Sequence, residues 1–358
     1  MLFSIVGFLL FGTLYVLVLR RVFPPKSFVR GALLGGFLLI VLVWLIWLVL
    51  RLSGVTDIRA LPFTNFLVGL SVFLFFYLLI DLIASLFVKN RAELIRRYAF
   101  WLLIPITVTA AFIGHKNTVE PRVTRYEVHM PKVAGLDTLR VLLVSDIHIG
   151  DIIRAENARR LDSLAKRETP DILLLGGDMI DRDPKYARDP EMMRLVRELT
   201  ERQDTYLVLG NHEYYSDLGE KIKWAGEMGT LLRDSVVEIY PGLYLIGRDS
   251  HTNDERIPLN DLMSRVPTDA ATILLQHEPL ALDEIRASGI DLSLHGHTHN
   301  GQVFLFWPLV ALAHERTYGK WSRGTTTHIV SSGFGVSTST LRIGSHSEIV
   351  MLTLVFDK

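Results

Sequence analysis

The chain has 358 residues, 49% of them hydrophobic and 21% charged, with 38 basic and 38 acidic side chains and no cysteine. That length accommodates about two units of ordinary size, and the lack of cysteine excludes disulfides, iron–sulfur clusters and thiolate zinc sites. The zero net charge is a cancellation, because residues 1–116 hold eleven Lys and Arg against three Asp and Glu, leaving 27 against 35 in the remainder; an acidic C-terminal part excludes nucleic acid as the main partner, since phosphate backbones attract basic faces.

In chain order, the first feature is a set of four apolar runs, 1–19, 31–50, 65–88 and 98–114. Three of them approach the roughly 20 residues a helix needs to cross a bilayer, and the fourth is shorter. Arg20 and Arg21 follow the first run, with no small-residue cleavage site, so it reads as a retained span rather than a signal peptide. The first connection carries Arg20, Arg21, Lys26 and Arg30, and the third carries Lys89, Arg91, Arg96 and Arg97. The second holds only Arg51 and Arg59 beside Asp57. Lys and Arg accumulate on the cytoplasmic side. A multi-pass integral membrane protein is therefore predicted, with the first and third loops inside and both termini, together with any C-terminal domain, extracytoplasmic. Asp81 lies within the third run, where an ionisable group is costly. With no second charge in the spans, it reads as a polar clasp between helices.

The polar stretch HKNTVEPR (115–122) divides a transmembrane region, 1–116, from a second domain, 117–358. Beyond it lie the runs RVLLVSD (140–146), DILLLGGD (171–178), TYLVLGN (205–211), LYLIGRD (243–249), TILLQHE (272–278) and DLSLHGH (291–297), with amphipathic stretches at 152–168 and 189–202. These are the marks of buried central strands in an α/β domain. QVFLFWPLVALAHERTYGKW (302–321) reads as a core strand and helix. The competing reading is an apolar lip at the bilayer, prompted by Phe304, Phe306, Trp307, Leu309, Val310 and Leu312 flanked by Arg316 and Lys320.

Polar groups collect at the ends of the predicted strands: Asp146 and His148, Asp178, Asn211 and His212, and His295, His297 and His299, with His277 inside its run. Strand ends converge on one rim in α/β folds. The i, i+2 spacing in DIH and HTH is expected to turn two side chains to one side of an extended strand. Oxygen and imidazole donors without thiolates suit Mn, Fe or Zn at a catalytic site, and there are too many for one ion. Asp178 is suited to bridge two ions, because its carboxylate offers two oxygens and the preceding glycines leave the backbone uncrowded. His295 is balanced between a supporting role behind the ligands and a structural one. His115, His129, His251, His314, His328 and His346 read as structural hydrogen-bond partners.

The series DIH (146–148), GD (177–178), GNHE (210–213), His277 and GHTH (296–299) resembles, in order and spacing, the five-block signature of the calcineurin-like metallophosphoesterases. The tail VSSGFGVSTSTLRIGSHSEIVMLTL (330–354) is similar to the end of the branch whose catalytic domain follows membrane or export segments. The resemblance implies a four-layer α-β-β-α sandwich, here preceded by a four-helix transmembrane region. It also implies two divalent metal ions, manganese foremost, with iron or zinc as alternatives. One would be held by Asp146, His148, Asp178 and His299, the other by Asp178, Asn211, His277 and His297. His212 matches the histidine that protonates or stabilises the leaving oxygen, Asp181 the carboxylate that orients it, and Arg182 a phosphate contact. Two such ions about 3.5–4 Å apart acidify a bridging water for in-line attack on phosphorus.

The expected activity is hydrolysis of a phosphomonoester or phosphodiester, the substrate being a lipid or lipid-linked compound of the same membrane. A second expectation resembles the family's UDP-diacylglucosamine pyrophosphatases, whose cytoplasmic site the predicted topology opposes. A third, of another class, is a phosphate-binding membrane sensor or transporter without turnover. Degenerate blocks would favour it, and every block here is intact.

Overall fold

The computed structural model describes residues 2–53, 61–336 and 338–357. Met1, Asp57 and Arg59 lie outside the described residues, as does the side chain of Arg51. By internal contacts the chain forms two compact units, Met1–Lys116 with Thr338–Leu341, and Asn117–Ser337 with Arg342–Lys358.

The first unit consists of helices α1 (Leu2–Val22), α2 (Phe28–Leu52), α3 (Leu61–Phe87) and most of α4 (Ala92–Val119). Their apolar residues cover the whole circumference, as a helix in lipid requires. Among the described residues three helices, not the expected four, are long and apolar enough to cross a membrane: Phe28–Leu50, Pro62–Phe87 and Lys89–Val119. The place of the first expected span is taken by α1, whose first side chains lie outside the described residues. The run at 98–114 is longer than it reads, because α4 passes through the polar residues His115–Thr118 and contains Pro105. Polarity alone did not end the helix there; the turn into the next element comes at Glu120 and Pro121. Aromatic rings of α1 to α4 form the packed interior, with Phe73 and Phe100 edge to face at 5.4 Å and Phe8 against Trp44 at 4.8 Å.

Asp81 has charged partners, contrary to the expectation that no second charge accompanies it. Arg21 Nε lies 3.1 Å from one carboxylate oxygen and Arg96 Nε binds the other. Both arginines were read as loop charges, yet their long stems reach back along the helix ends. The result is a clasp joining α1, α3 and α4.

In the second unit, sheet one has the order β1-β12-β2-β3-β4-β5, formed by Arg122–Val133, Glu348–Asp357, Thr138–Val144, Ile172–Gly176, Asp204–Val208 and Thr230–Leu231. Sheet two has the order β10-β11-β9-β8-β7-β6, formed by Gly319–Arg323, Thr326–Val330, Leu292–His295, Ala271–Leu275, Leu243–Gly247 and Ser235–Tyr240. Alternation along β2 explains the layering. Val141 and Leu143 join the core between the sheets with Leu245, Ile273 and Leu294. Leu142 and Val144 face the other way, onto α5 (Ala155–Glu168), α6 (Pro190–Thr200) and α7 (Leu218–Met228). On the far side, α8 (Leu259–Met263) and α9 (Leu282–Ala287) cover Ile246 and Leu274 of sheet two. The expected four layers, helix, sheet, sheet, helix, are thus present.

Local chemistry sets the helix ends. Asp189 accepts from the backbone N–H of Glu191 and Met192 at 3.1 and 3.2 Å, with Pro190 in the first turn of α6. The central strands β2, β3 and β4 run parallel, as do β7, β8, β9 and β11, so their C-terminal ends carry the loops that bear the motif residues.

Candidate metal centre

The polar cluster is built on the loops that directly follow the strand ends, as expected. Asp146, His148, Asp178, His297 and His299 all have positive φ, between 48° and 71°. The expected same-side alternation of DIH and HTH on an extended strand is therefore overturned. These side chains converge because a left-handed backbone turns consecutive residues inward, a conformation Asp, Asn and His tolerate better than most. His277 lies within the quoted run, two residues beyond the end of β8. The loops are laced together beyond the strands: Asp146 N donates to Gly177 O at 3.0 Å, His148 N to Asp178 O at 2.9 Å, and Gly296 N to His277 O at 2.9 Å. Gly296 is dictated by crowding, since a Cβ there would lie 1.9 Å from Ser145 Oγ and 2.3 Å from Asp146 Oδ2. Gly177 is dictated both by φ of +86° and by His277, whose Nδ1 would be 2.7 Å from a Cβ.

Three overlapping groups of donors meet here, two of them through Asp178. Asp146, His148 and His299 form one, with His148 Nε2 and His299 Nε2 3.0 Å apart and His299 Nε2 3.6 Å from Asp146 Oδ1. His148, Asp178 and His212 form a second. Asp178, His277 and His297 form the third, with His277 Nε2 3.2 Å from Asp178 Oδ2. The same Asp178 oxygen is 3.8 Å from His148 Nε2 and 4.0 Å from His212 Nε2. It stands at the centre of the cluster.

The donors fit divalent ions. A separation of 3.0 Å is what two imidazoles show when each binds one ion at about 2.1 Å and at a right angle. Nδ1 of His277 donates to Gly176 O at 2.7 Å, so Nε2 is the atom turned to the cluster. Asn211 donates from Nδ2 to Tyr215 OH at 2.6 Å, while its Oδ1 is buried with no hydrogen-bond partner. A buried acceptor left so costs about 1–3 kcal/mol, which a cation would offset. Burial holds His148, His299 and His297 below the ordinary imidazole range, keeping them neutral. Burial also opposes charge on His277 and Asp178, but there mutual attraction wins. The carboxylates of Asp178 and Asp146 raise His277 well above its usual value, and the charge and hydrogen bond of His277 hold Asp178 well below the carboxylate range. The cluster attracts positive charge.

His212 stands over this cluster, its ring 4.5 Å from that of His148. Its Nδ1 lies 2.8 Å from Asp181 Oδ1, and its backbone N donates to Asp178 Oδ1 at 2.8 Å. Arg182 is exposed and outside the buried cluster. With Asp183, Tyr215, Ser216 and Asp217 it lines an open cavity of about 570 Å³, and the Tyr215 ring lies 4.5 Å from His212.

His295 faces away from the ligands. Nδ1 bonds Gln276 O at 2.9 Å, and Nε2 meets Ser293 Oγ at 3.0 Å, whose other neighbour is His328 Nδ1 at 2.6 Å. It is a structural residue, and burial depresses its pKa to about 3. Of the other histidines read as structural, His314 approaches the cluster, its ring 5.4 Å from His297.

Sequence reading missed two residues. Glu213, within GNHE, is buried and accepts three backbone N–H bonds, from Gly210 at 2.7 Å, Asp178 at 2.9 Å and Ile180 at 3.0 Å. Burial and the neighbouring Asp178 push its carboxyl up to about 7 against the pull of those donors. Arg342 is fully buried. Its guanidinium donates to the carbonyls of Ser332 and His346, both at 2.8 Å, and of Gly335 at 2.7 Å, and lies 3.1 Å from His299 Nδ1. Glu213 at least stood in a quoted block. Arg342 stands in the quoted tail, where no spacing tied it to a ligand.

Comparison with known proteins finds a match to the family described as calcineurin-like phosphoesterase over residues 139–301. An uncharacterised metallophosphoesterase of Campylobacter jejuni is 30% identical over 272 residues, covering 73% of this chain and 71% of that protein. One from Aquifex aeolicus is 29% identical over 257 residues, 70% of this chain and 97% of that protein. A bovine transmembrane protein with a metallophosphoesterase domain is 27% identical over 277 residues, 71% of this chain and 62% of its own length.

Proposed function

The chain belongs to the calcineurin-like metallophosphoesterases, and from that premise we propose that it is a membrane-anchored, metal-dependent hydrolase of phosphoester bonds. The observation that carries the reading is Asp178 Oδ2, set between His277 Nε2 at 3.2 Å and His148 Nε2 at 3.8 Å, at the junction of two donor groups. Asp146, His148, Asp178 and His299 would hold one cation, and Asp178, Asn211, His277 and His297 the second, with manganese the proposed metal. When bound, such ions supply Lewis acidity toward phosphoryl oxygens and make water nucleophilic at neutral pH. Asp181 fixes the tautomer and direction of His212, whose Nε2 is left toward the cluster to protonate or stabilise the leaving oxygen. Arg182 and the cavity it lines would receive the rest of the phosphate group.

The proposed substrate is a lipid or lipid-linked phosphoester, since the anchor confines the enzyme to the bilayer. The proposed placement of the domain is extracytoplasmic, supported by the Lys and Arg of the first and third connections. The pairing of Arg21 and Arg96 with Asp81 supports this reading, since it brings the C-terminal ends of α1 and α3 together with the start of α4.

The test is a turnover panel on purified full-length protein with added Mn²⁺, covering phosphomonoesters, phosphodiesters, nucleotide sugars and phospholipids, with Asp178→Asn and His212→Ala as controls. Hydrolysis that both variants lose supports the proposal. Phosphate binding without turnover under any metal would leave a sensor or transporter instead. Reporter fusions after residue 116 test the side, and cytoplasmic activity there overturns the outward placement.

A further inference from the structure

The segment 302–321 is not the core strand and helix that its apolar composition predicts. Phe304–Phe306 form a single 3₁₀ turn leading into α10 (Trp307–Ala313), a helix with no buried residue. Trp307, Leu309 and Leu312 are 43%, 63% and 84% exposed. The helix is nevertheless firmly placed. Trp307 Nε1 donates to Asn300 O at 2.8 Å, Phe304 N donates to Ile343 O at 2.8 Å, and Thr298 Oγ1 beyond the GHTH turn donates to Thr317 O at 2.6 Å. At its end stands His314, against His297. An ordered helix is thus pinned to the loop that carries His297 and His299 while turning large apolar side chains outward, which forgo burial they would otherwise gain.

We propose that α10 inserts into the interface of the bilayer that holds this chain's own spans. Among the described residues three helices are long and apolar enough to cross a membrane, and only Glu120 and Pro121 separate α4 from β1, so lipid is an apolar phase within reach. The composition is that of an interfacial element: Trp307 at the start, aliphatic residues through the helix, and Arg316 just after it for anionic headgroups, while Lys320 on β10 donates to Glu127 O. The Arg316 guanidinium lies 5.8 Å from the Trp321 ring, close to the same edge. Resting on the hydrolase reading, the consequence is that a phosphoester at headgroup depth meets the His297–His299 loop without leaving the membrane.

The absence of cysteine makes the test direct. Leu312→Cys in the full-length protein takes one environment-sensitive fluorophore, with Glu201→Cys as a reference site, and both are reconstituted in phosphatidylethanolamine–phosphatidylglycerol vesicles. The label at position 312 is expected to emit at shorter wavelength than the reference and to lose most of its fluorescence when the acyl chains are brominated. Equal emission and no quenching overturns insertion, as does a label at position 312 that is shielded only by cross-linking to a second copy. In a second arm, Leu309→Asp combined with Leu312→Asp is expected to lower turnover of a vesicle-borne phospholipid roughly tenfold, leaving a soluble chromogenic phosphodiester unchanged. Quenching without any phosphoester turnover would uphold insertion and defeat the hydrolase reading alone.

Discussion

His212 leans on Asp181, Nδ1 to Oδ1 at 2.8 Å, while its backbone N–H is held by Asp178 Oδ1, also at 2.8 Å. One carboxylate fixes the ring's tautomer and the other fixes the chain that carries it. In the proposed assignment the ring is a proton donor and not a metal ligand, although it lies in one donor group with His148 and Asp178. His212→Ala is expected to lower kcat by about 10²–10⁴, with metal content unchanged. Asp181→Asn keeps the ring but weakens its orientation, so a smaller loss is expected. Steady-state kinetics beside metal analysis by atomic emission checks both, and loss of metal from His212→Ala would return that residue to the ligand set.

Asp178 offers the complementary case. In the proposed assignment its Oδ2 serves both metal sites, so Asp178→Asn should weaken both together, whereas His299→Ala should weaken one. Titration calorimetry with Mn²⁺ on the detergent-solubilised chain is expected to show two ions in the wild type, about one in His299→Ala, and weak, substoichiometric binding in Asp178→Asn. Two intact sites in the last variant would show that Asp178 does not bridge.

Glu213 acts as a brace, its two oxygens gathering the N–H groups of Gly210, Asp178 and Ile180. A Gln in its place presents one acceptor and turns an NH₂ toward donors. Each buried N–H left without a partner costs about 1–3 kcal/mol. Glu213→Gln should therefore lower the thermal unfolding midpoint and weaken metal binding, because the GD and GNH loops lose their common support. Glu213→Asp, which keeps two oxygens on a shorter stem, should do less harm.

The parts of the molecule legible in the sequence are those set by composition and periodicity. The six quoted apolar runs are strands β2, β3, β4, β7, β8 and β9, and the two amphipathic stretches contain α5 and α6. Strands β1 and β12 lie outside the six quoted runs. β1 carries polar residues along its length and is specified by pairing with β12, Arg122 with Glu348 through Met130 with Phe356, a long-range relation that no local pattern records. β12 is itself apolar from Ile349 to Leu352 and from Leu354 to Phe356, a strand signal of the same kind as the quoted runs. At the metal centre the residue types were legible but the reason for their meeting was not. Positive φ at Asp146, His148, His297 and His299 is a backbone property that Asp and His permit without announcing it. Arg21 and Arg96 were misread for a related cause: proximity to Asp81 depends on how three helices pack. Segment 302–321 failed the other way, its apolarity being mistaken for burial.

His295 separates fold stability from metal chemistry through pH. Burial lowers its pKa in the folded chain to about 3, against 6.5 in the unfolded state. Between these values the unfolded chain binds a proton that the folded chain refuses, so stability falls as pH drops from about 6.5 toward 3, by about 1.4 kcal/mol per pH unit. His295→Gln removes that dependence while leaving a polar group to meet Gln276 O and Ser293 Oγ. The difference in unfolding free energy between variant and wild type should therefore shift by about 2 kcal/mol in the variant's favour between pH 7 and pH 5. The buried histidines of the metal cluster titrate alike in both proteins and cancel in that difference. Denaturant unfolding of the metal-loaded chain at the two pH values checks it, and a pH-independent difference would mean that His295 takes up its proton in the folded state.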